Sequence, residues 1–254
     1  YKEVQLSNGL KVLLIKDSSL PYFSMTMMLN SGASFDPQTK AGLMYVTANL
    51  LDKGTELRSA TELADSIGQI GGEFSTSVSD DYTMISASAL SLHQDKILDD
   101  FVEIITQPTF KDKEIQRLKR QVISGLRKSV DNPGHFASYI FGSYLYGSHP
   151  YGRRASGTIM DVKSIKKKNI IRHYFRHIRP NNATLAVVGD FREDIADVLE
   201  RKLANWKPRA KKTIEYPVFP DIKGVQIRLV NKSDLAQAQI RIGHKGIKRS
   251  NPNY

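Results

Sequence analysis

The sequence predicts an α+β fold, with helices packed on one face of a largely antiparallel sheet. Three observations carry this expectation. Segments with the two-residue period of a strand and the 3.6-residue period of a helix are mixed without regular strand–helix–strand alternation. Two pairs of strands follow one another across turns rather than across helices. The chain has 254 residues, enough for one large domain or for one domain and part of a second.

Leu10 to Ile15 is a short apolar run entered from the turn Ser7-Asn8-Gly9, and Tyr22 to Leu29 is a second strand closed by Asn30-Ser31-Gly32. From Ala41 to Leu51 the period turns helical, with Leu43, Val46, Thr47, Leu50 and Leu51 on one face ahead of Lys53-Gly54. Another helix begins at Thr61 and ends near Gly71-Gly72. Glu73 to Leu90 alternates as two strands around Asp80-Asp81, and Leu92 to Thr106 is helical, stopping before Pro108. Asp112 to Ser129 reads as a long basic helix with Ile115, Leu118, Val122, Ile123 and Leu126 on one face. Phe136 to Tyr146 and Ile165 to Ile178 are further helices, Ala183 to Val188 a buried strand, and Ile195 to Leu203 a last helix.

Composition narrows the class. Hydrophobic residues make up 40% and charged residues 25%, as in ordinary soluble globular proteins. No apolar run approaches the roughly 20 residues of a membrane-spanning helix. The chain opens on Tyr1-Lys2-Glu3, without the basic and apolar regions of a signal peptide. Its location therefore reads as the bacterial periplasm if such a peptide has been removed, and as the cytoplasm otherwise. The absence of cysteine excludes disulfides, thiolate zinc sites and a cysteine nucleophile, and leaves His, Asp and Glu as metal ligands.

The net charge of +11 is unevenly spread: residues 1–100 carry 7 basic and 13 acidic side chains (−6), and residues 101–254 carry 30 and 13 (+17). Such asymmetry suits an anionic partner. The basic runs lack the interleaved aromatics on which bases stack, so nucleic acid is not expected, and solvated Lys- and Arg-rich helices account for the charge.

Near residue 207 the texture changes. Lys207-Pro208-Arg209-Ala210-Lys211-Lys212, followed by Pro217 and Pro220, reads as an exposed linker. Beyond it, Ile227-Arg228-Leu229-Val230 through Leu235 to Ile240-Arg241-Ile242 repeats the pattern of Val12-Leu13-Leu14-Ile15 through Leu20 to Met25-Thr26-Met27. The division expected is a first domain over 1–215 and the start of a second copy, with two strands, over 222–254, a stretch too short to fold alone.

An ordered set of segments resembles the insulinase/pitrilysin/mitochondrial-processing-peptidase family. It comprises Leu6-Ser7-Asn8-Gly9-Leu10-Lys11-Val12, Lys40-Ala41-Gly42-Leu43, Lys53-Gly54-Thr55, and Asp112-Lys113-Glu114-Ile115-Gln116-Arg117-Leu118-Lys119-Arg120-Gln121-Val122. Gly147-Ser148-His149-Pro150-Tyr151-Gly152 follows, then Tyr174-Phe175-Arg176-His177-Ile178-Arg179-Pro180-Asn181-Asn182-Ala183-Thr184-Leu185 with Val188-Gly189-Asp190. The resemblance implies tandem copies of one α+β domain in a clamshell, of which one full domain is present here.

Active members of that family carry the inverted zinc motif H-x-x-E-H, with two His ligands one helical turn apart, a Glu that activates the zinc-bound water, and a Glu ligand from a later helix. The resemblance places the first His on Tyr45, the Glu base on Ala48, the second His on Asn49 and the distal Glu on Gly125. Neither H-x-x-E-H nor H-E-x-x-H occurs anywhere in the sequence. The resemblance thus implies no catalytic residues, no metal and no cofactor. The strand containing Phe74, Ser75, Thr76 and Ser77 corresponds to the sheet edge on which the family pairs extended peptide, and such pairing uses backbone groups only.

Other chemistry-bearing residues read as structural. His173 and His177 have the i, i+4 spacing of a two-His zinc site, but Tyr174-Phe175-Arg176 between them offers no base and places a cation there. His149-Pro150-Tyr151-Gly152 is a turn by composition. Gly68, Gly71 and Gly72 lack the strand-before, helix-after setting of a phosphate loop, and no Gly-x-Ser-x-Gly elbow exists.

The function expected is a non-catalytic insulinase-family subunit that pairs with an active zinc-peptidase homologue, or with itself, to form a chamber for unstructured peptides. The alternative is a scaffolding subunit like the core proteins of the bc1 complex. An active zinc metalloendopeptidase is the third reading, and it requires ligands that the motif positions do not supply.

Overall fold

A computed structural model describes residues 1–210, 215–219, 222–232, 237–247 and 251–253. Six strands, β1 (Lys2–Gln5), β2 (Lys11–Lys16), β3 (Tyr22–Leu29), β4 (Glu73–Val78), β5 (Thr83–Leu90) and β6 (Ala183–Gly189), form one sheet in the order β1-β2-β6-β3-β5-β4. Every neighbouring pair is antiparallel except β2–β6. The expected α+β class is what the structure has. β1, a short exposed edge strand, was not legible as one.

The alternation seen in the sequence decides which face is covered. Phe23, Met25, Met27 and Leu29 of β3, Ile85, Ala87 and Ala89 of β5, and Leu185 and Val187 of β6 are buried together under the helices. The register places Ser24, Thr26 and Met28 beside Ser88, Ser86 and Met84 on the opposite face, which is half-exposed. Burying one face and leaving the other polar is the usual economy of an antiparallel sheet.

The helices are α1 (Leu43–Ala48), α2 (Ala60–Gln69), α3 (Gln94–Thr106), α4 (Asp112–Val130), α5 (Pro133–Tyr146), α6 (Ile159–Ser164), α7 (Lys167–His177) and α8 (Ile195–Leu203). Three differ from expectation; α5 begins at Pro133 rather than Phe136, its first turn capped by the Asn132 side chain, which accepts His135 N–H at 3.0 Å. α1 ends at Ala48 rather than Leu51, because the chain tightens into i→i+3 bonds, Leu50 N–H to Thr47 O at 3.3 Å and Leu51 N–H to Ala48 O at 3.2 Å. The helix expected from Ile165 starts at Lys167, after a separate α6. The break is held by buried Lys119 of α4, whose Nζ donates to Lys163 O at 2.9 Å and to Ile165 O at 2.8 Å. Burial lowers the pKa of this ammonium group.

The insertion of β6 between β2 and β3 ties the segment up to α8 into the same sheet as the first strands. Arg209 at the start of the basic linker is exposed and tied back to Asn181, whose Oδ1 accepts from Arg209 N–H at 3.2 Å and whose Nδ2 donates to Arg209 O at 2.7 Å. Lys211, Lys212, Pro220 and Leu235 lie outside the described residues. The strands expected at Ile227–Val230 and Ile240–Ile242 are not formed: these residues are non-strand, with Leu229 and Ile242 about nine-tenths exposed at 90% and 92%. An extended segment becomes a strand by pairing, and neither segment has a partner in the sheet.

We expect limited proteolysis by a broad-specificity protease to cut first within 207–219 and to leave a resistant fragment holding all six strands, read by mass spectrometry. First cleavage between β3 and β6 would contradict this division of the chain.

Candidate functional site

Three of the positions to which the resemblance assigns the motif come together. Tyr45 and Asn49 stand one turn apart at α1 and its C-cap, and Gly125 faces them from the middle of α4, all lining a cleft of about 550 Å³. Gln121, Gly125 and Ser129 form an i, i+4, i+8 stripe on α4, and His135 from α5 with Arg154 and Ser156 from the loop before α6 complete the lining. Tyr45 also packs on a small apolar cluster of Val122, Leu126 and Val162, which fixes α1 against α4 and α6.

Ala48 is fully buried and does not line the cleft. A methyl group there contributes packing and no chemistry.

Two devices position α1. Its N-terminal end is capped from outside by the carboxylate of Asp36, which accepts Gly42 N–H and Met44 N–H, both at 2.8 Å. Such a charge-assisted cap also suits the positive end of the helix. His173 Nε2 lies 3.3 Å from Asp36 Oδ1, in a geometry outside that of a hydrogen bond. The second device is a close backbone crossing. Gly42 and Gly157 both have positive φ, +88° and +74°, and a Cβ on Gly157 would stand 2.1 Å from Ala41 O. Only glycines permit that approach, and it brings the loop bearing Arg154 and Ser156 against α1.

The donor set is unlike that of a zinc site. Asn49 turns its Nδ2 back onto Tyr45 O at 2.8 Å, Gly125 has no side chain, and His135 is the sole imidazole in the cleft. Among the described residues no group of three or more His, Cys, Asp and Glu is placed to hold a metal ion. The residues present do not fit the zinc that the resemblance implies for active members, and no chemical step is derived through it. The polar residues that line the cleft include Tyr45, Gln121, His135 and Arg154. The Arg154 guanidinium stacks 3.9 Å from the Tyr139 ring centroid and donates to Ser129 Oγ at 2.7 Å.

β4, with Phe74, Ser75, Thr76 and Ser77, is the terminal strand of the sheet and, among the described residues, is paired on one side only, to β5. Ser75 and Ser77 are exposed, Phe74 packs on the core, and α1 lies against the strand. The open edge thus borders the helix that forms one wall of the cleft.

The histidines set aside on sequence grounds are packed groups. His173 and His177 are 5% and 4% exposed, with ring centroids 4.4 Å apart, and His177 Nδ1 is 3.2 Å from Ser31 Oγ. His149 is buried among Tyr146, Tyr151, Tyr216 and Phe219, its Nδ1 accepts Tyr151 N–H at 3.2 Å, and burial lowers its pKa. Gly71, with φ +60°, ends α2. His135 and Arg154 carry no signal in the sequence that marks them as site residues. The stripe Gln121-Gly125-Ser129 was open to discovery by its helical spacing alone.

Comparison with known proteins bears on the family and the fold. The family model described as insulinase (peptidase family M16) matches residues 11–158, and the one described as peptidase M16 inactive domain matches residues 164–254. Relatives include YmxG of Bacillus subtilis, described as an uncharacterized zinc protease, 23% identical over 97% of this chain and 59% of its own length. Another is the mitochondrial-processing peptidase subunit beta of Bos taurus, 22% identical over 98% of this chain and 50% of its own. The chain therefore spans between half and three-fifths of the length of these relatives. Among solved structures, a peptidase M16 inactive domain from Pseudomonas fluorescens superposes with TM-score 0.79 at 23% identity, covering 86% of this chain and 53% of that one. A protease from Helicobacter pylori gives 0.78 at 23% identity with the same coverage. With more than half of its residues matched by the first family model, the chain belongs to the insulinase family of M16 peptidases.

Proposed function

We propose that this protein is a non-catalytic insulinase-family subunit that pairs with an active zinc-peptidase homologue and contributes part of the peptide-binding chamber. One observation carries the reading. A cleft between α1 and α4 lies beside an open sheet edge, and the resemblance assigns the chemistry to positions that hold Tyr45, Ala48, Asn49 and Gly125 here. A nucleophilic water needs an activating base and a Lewis acid or equivalent polariser, and neither is supplied by these four side chains. Edge pairing needs only backbone N–H and C=O groups, which β4 retains on its outer side. An extended peptide added there runs past α1, where Tyr45, Gln121, His135 and Arg154 offer polar contacts to its side chains.

The test is co-expression with a family homologue that has an intact H-x-x-E-H. We expect a heterodimer by light scattering, turnover of an unstructured peptide by the pair, and none by this chain alone. Pairing without any effect of β4 substitutions such as Ser75→Pro on peptide affinity would favour the scaffolding role. Metal-dependent peptide cleavage by this chain alone would overturn the proposal.

A further inference from the structure

Positive charge gathers where α7 ends. Arg172 and Arg176 stand one turn apart on the exposed side of α7, and with Phe175, Arg209 and Ala210 they line an open depression of about 470 Å³. Arg179 follows two residues after α7 and packs behind the same aromatic ring. Its Cζ lies 4.9 Å from the Phe175 ring centroid, and that of Arg209 lies 5.5 Å from the same centroid.

Part of this is ordinary helix chemistry. Basic groups suit the negative end of a helix, and Arg179 Nε donates to Phe175 O at 2.6 Å. That bond leaves the rest of the group unexplained. Arg179 is 7% exposed, and its Nη2 is buried without a hydrogen-bond partner. Burial, then the neighbouring charge of Arg209, lowers the Arg179 pKa.

Among the described residues no carboxylate lies within 4.0 Å of any of the four guanidinium groups. Buried cations are otherwise paired, because an uncompensated charge away from water is costly. Arg209 is also held in place: its backbone is clamped by the two hydrogen bonds to Asn181. The backbone that carries Arg209 is therefore fixed beside α7 before any ligand arrives.

We propose that Arg172, Arg176, Arg179 and Arg209 form a binding site for a phosphate-type oxyanion. Three guanidinium groups lining one depression, with that of Arg179 packed behind the Phe175 ring, match a compact, multiply charged group with several acceptor oxygens. A nucleic-acid strand is tracked by charges spread along a groove with free aromatic faces between them. Here the one ring, Phe175, already has two guanidinium neighbours. The phosphate has two possible sources, a soluble phosphate monoester or an anionic lipid headgroup.

The full chain would be titrated calorimetrically with inorganic phosphate at constant ionic strength, and sedimented with phosphatidylcholine vesicles with and without phosphatidic acid. The comparison is the double variant Arg176→Gln/Arg209→Gln, at two exposed positions, with Arg172→Gln as a second variant and circular dichroism as the check on folding. Saturable binding to either probe, weakened about tenfold or more by the double variant, is expected. Phosphate binding without a vesicle response assigns a soluble source, and a response to phosphatidic acid vesicles alone assigns a headgroup. Failure to bind either probe overturns the proposal, as does binding that the folded variants leave unchanged.

Discussion

The triple variant Tyr45→His/Asn49→His/Gly125→Glu is expected to bind zinc, and the unaltered chain is expected not to. Positions 45 and 49 are one turn apart and share the cleft with position 125, which is the arrangement two imidazoles and a carboxylate need. A Cβ at Gly125 meets nothing within 4 Å, so a side chain enters open space. Replacing a mid-helix glycine also removes a penalty of about 1 kcal/mol. Ala48 is left alone, because a carboxylate at that fully buried position would be stranded away from the cleft. Calorimetry on chelator-free protein should show one zinc per chain with dissociation constant of about 1 μM or tighter, a binding free energy of about −8 kcal/mol or more favourable. A folded triple variant that takes up no zinc would mean that α1 and α4 are not aligned as described.

The second large effect is expected at Asp36. Its carboxylate is the acceptor for two N–H groups at the start of α1 and stands next to buried His173. Asp36→Ala strands both N–H groups in a place with little water, at a cost of about 1–3 kcal/mol each, so a total loss of about 2–6 kcal/mol is expected in urea unfolding. Asp36→Asn keeps one acceptor oxygen and turns an NH₂ toward the other donor, and should fall between the two. A loss below about 1 kcal/mol for the alanine variant would show that α1 is capped by other means. Because α1 carries Tyr45 and Asn49, the same substitution should loosen the cleft and weaken zinc binding by the triple variant.

Much of the secondary structure was legible locally. The alternation through Tyr22–Leu29 and Glu73–Leu90 states which side chains are buried, and those are the side chains found under the helices. The stripe of Ile115, Leu118, Val122 and Leu126 states which side of α4 faces inward. Local period also says that residues 45 and 49 share a helix face. The expectation of strands at Ile227–Val230 and Ile240–Ile242 failed for the converse reason: alternation states a capacity to pair, and a strand exists only once another strand supplies its hydrogen bonds.

By itself, then, the sequence determined the class of fold, the inward faces of β3, β5, α1 and α4, the family, and the absence of H-x-x-E-H. The tertiary structure alone decided the strand order with β6 between β2 and β3, the meeting of Gly125 with Tyr45 and Asn49, the entry of His135 and Arg154 into the same cleft, and the convergence of Arg209 on α7. The physical reason is range. Side-chain period reports how one element divides between water and core. Which elements meet depends on close approaches between distant segments, such as Gly42 against Gly157, and on capping groups such as Asp36 that act across turns of chain rather than along them.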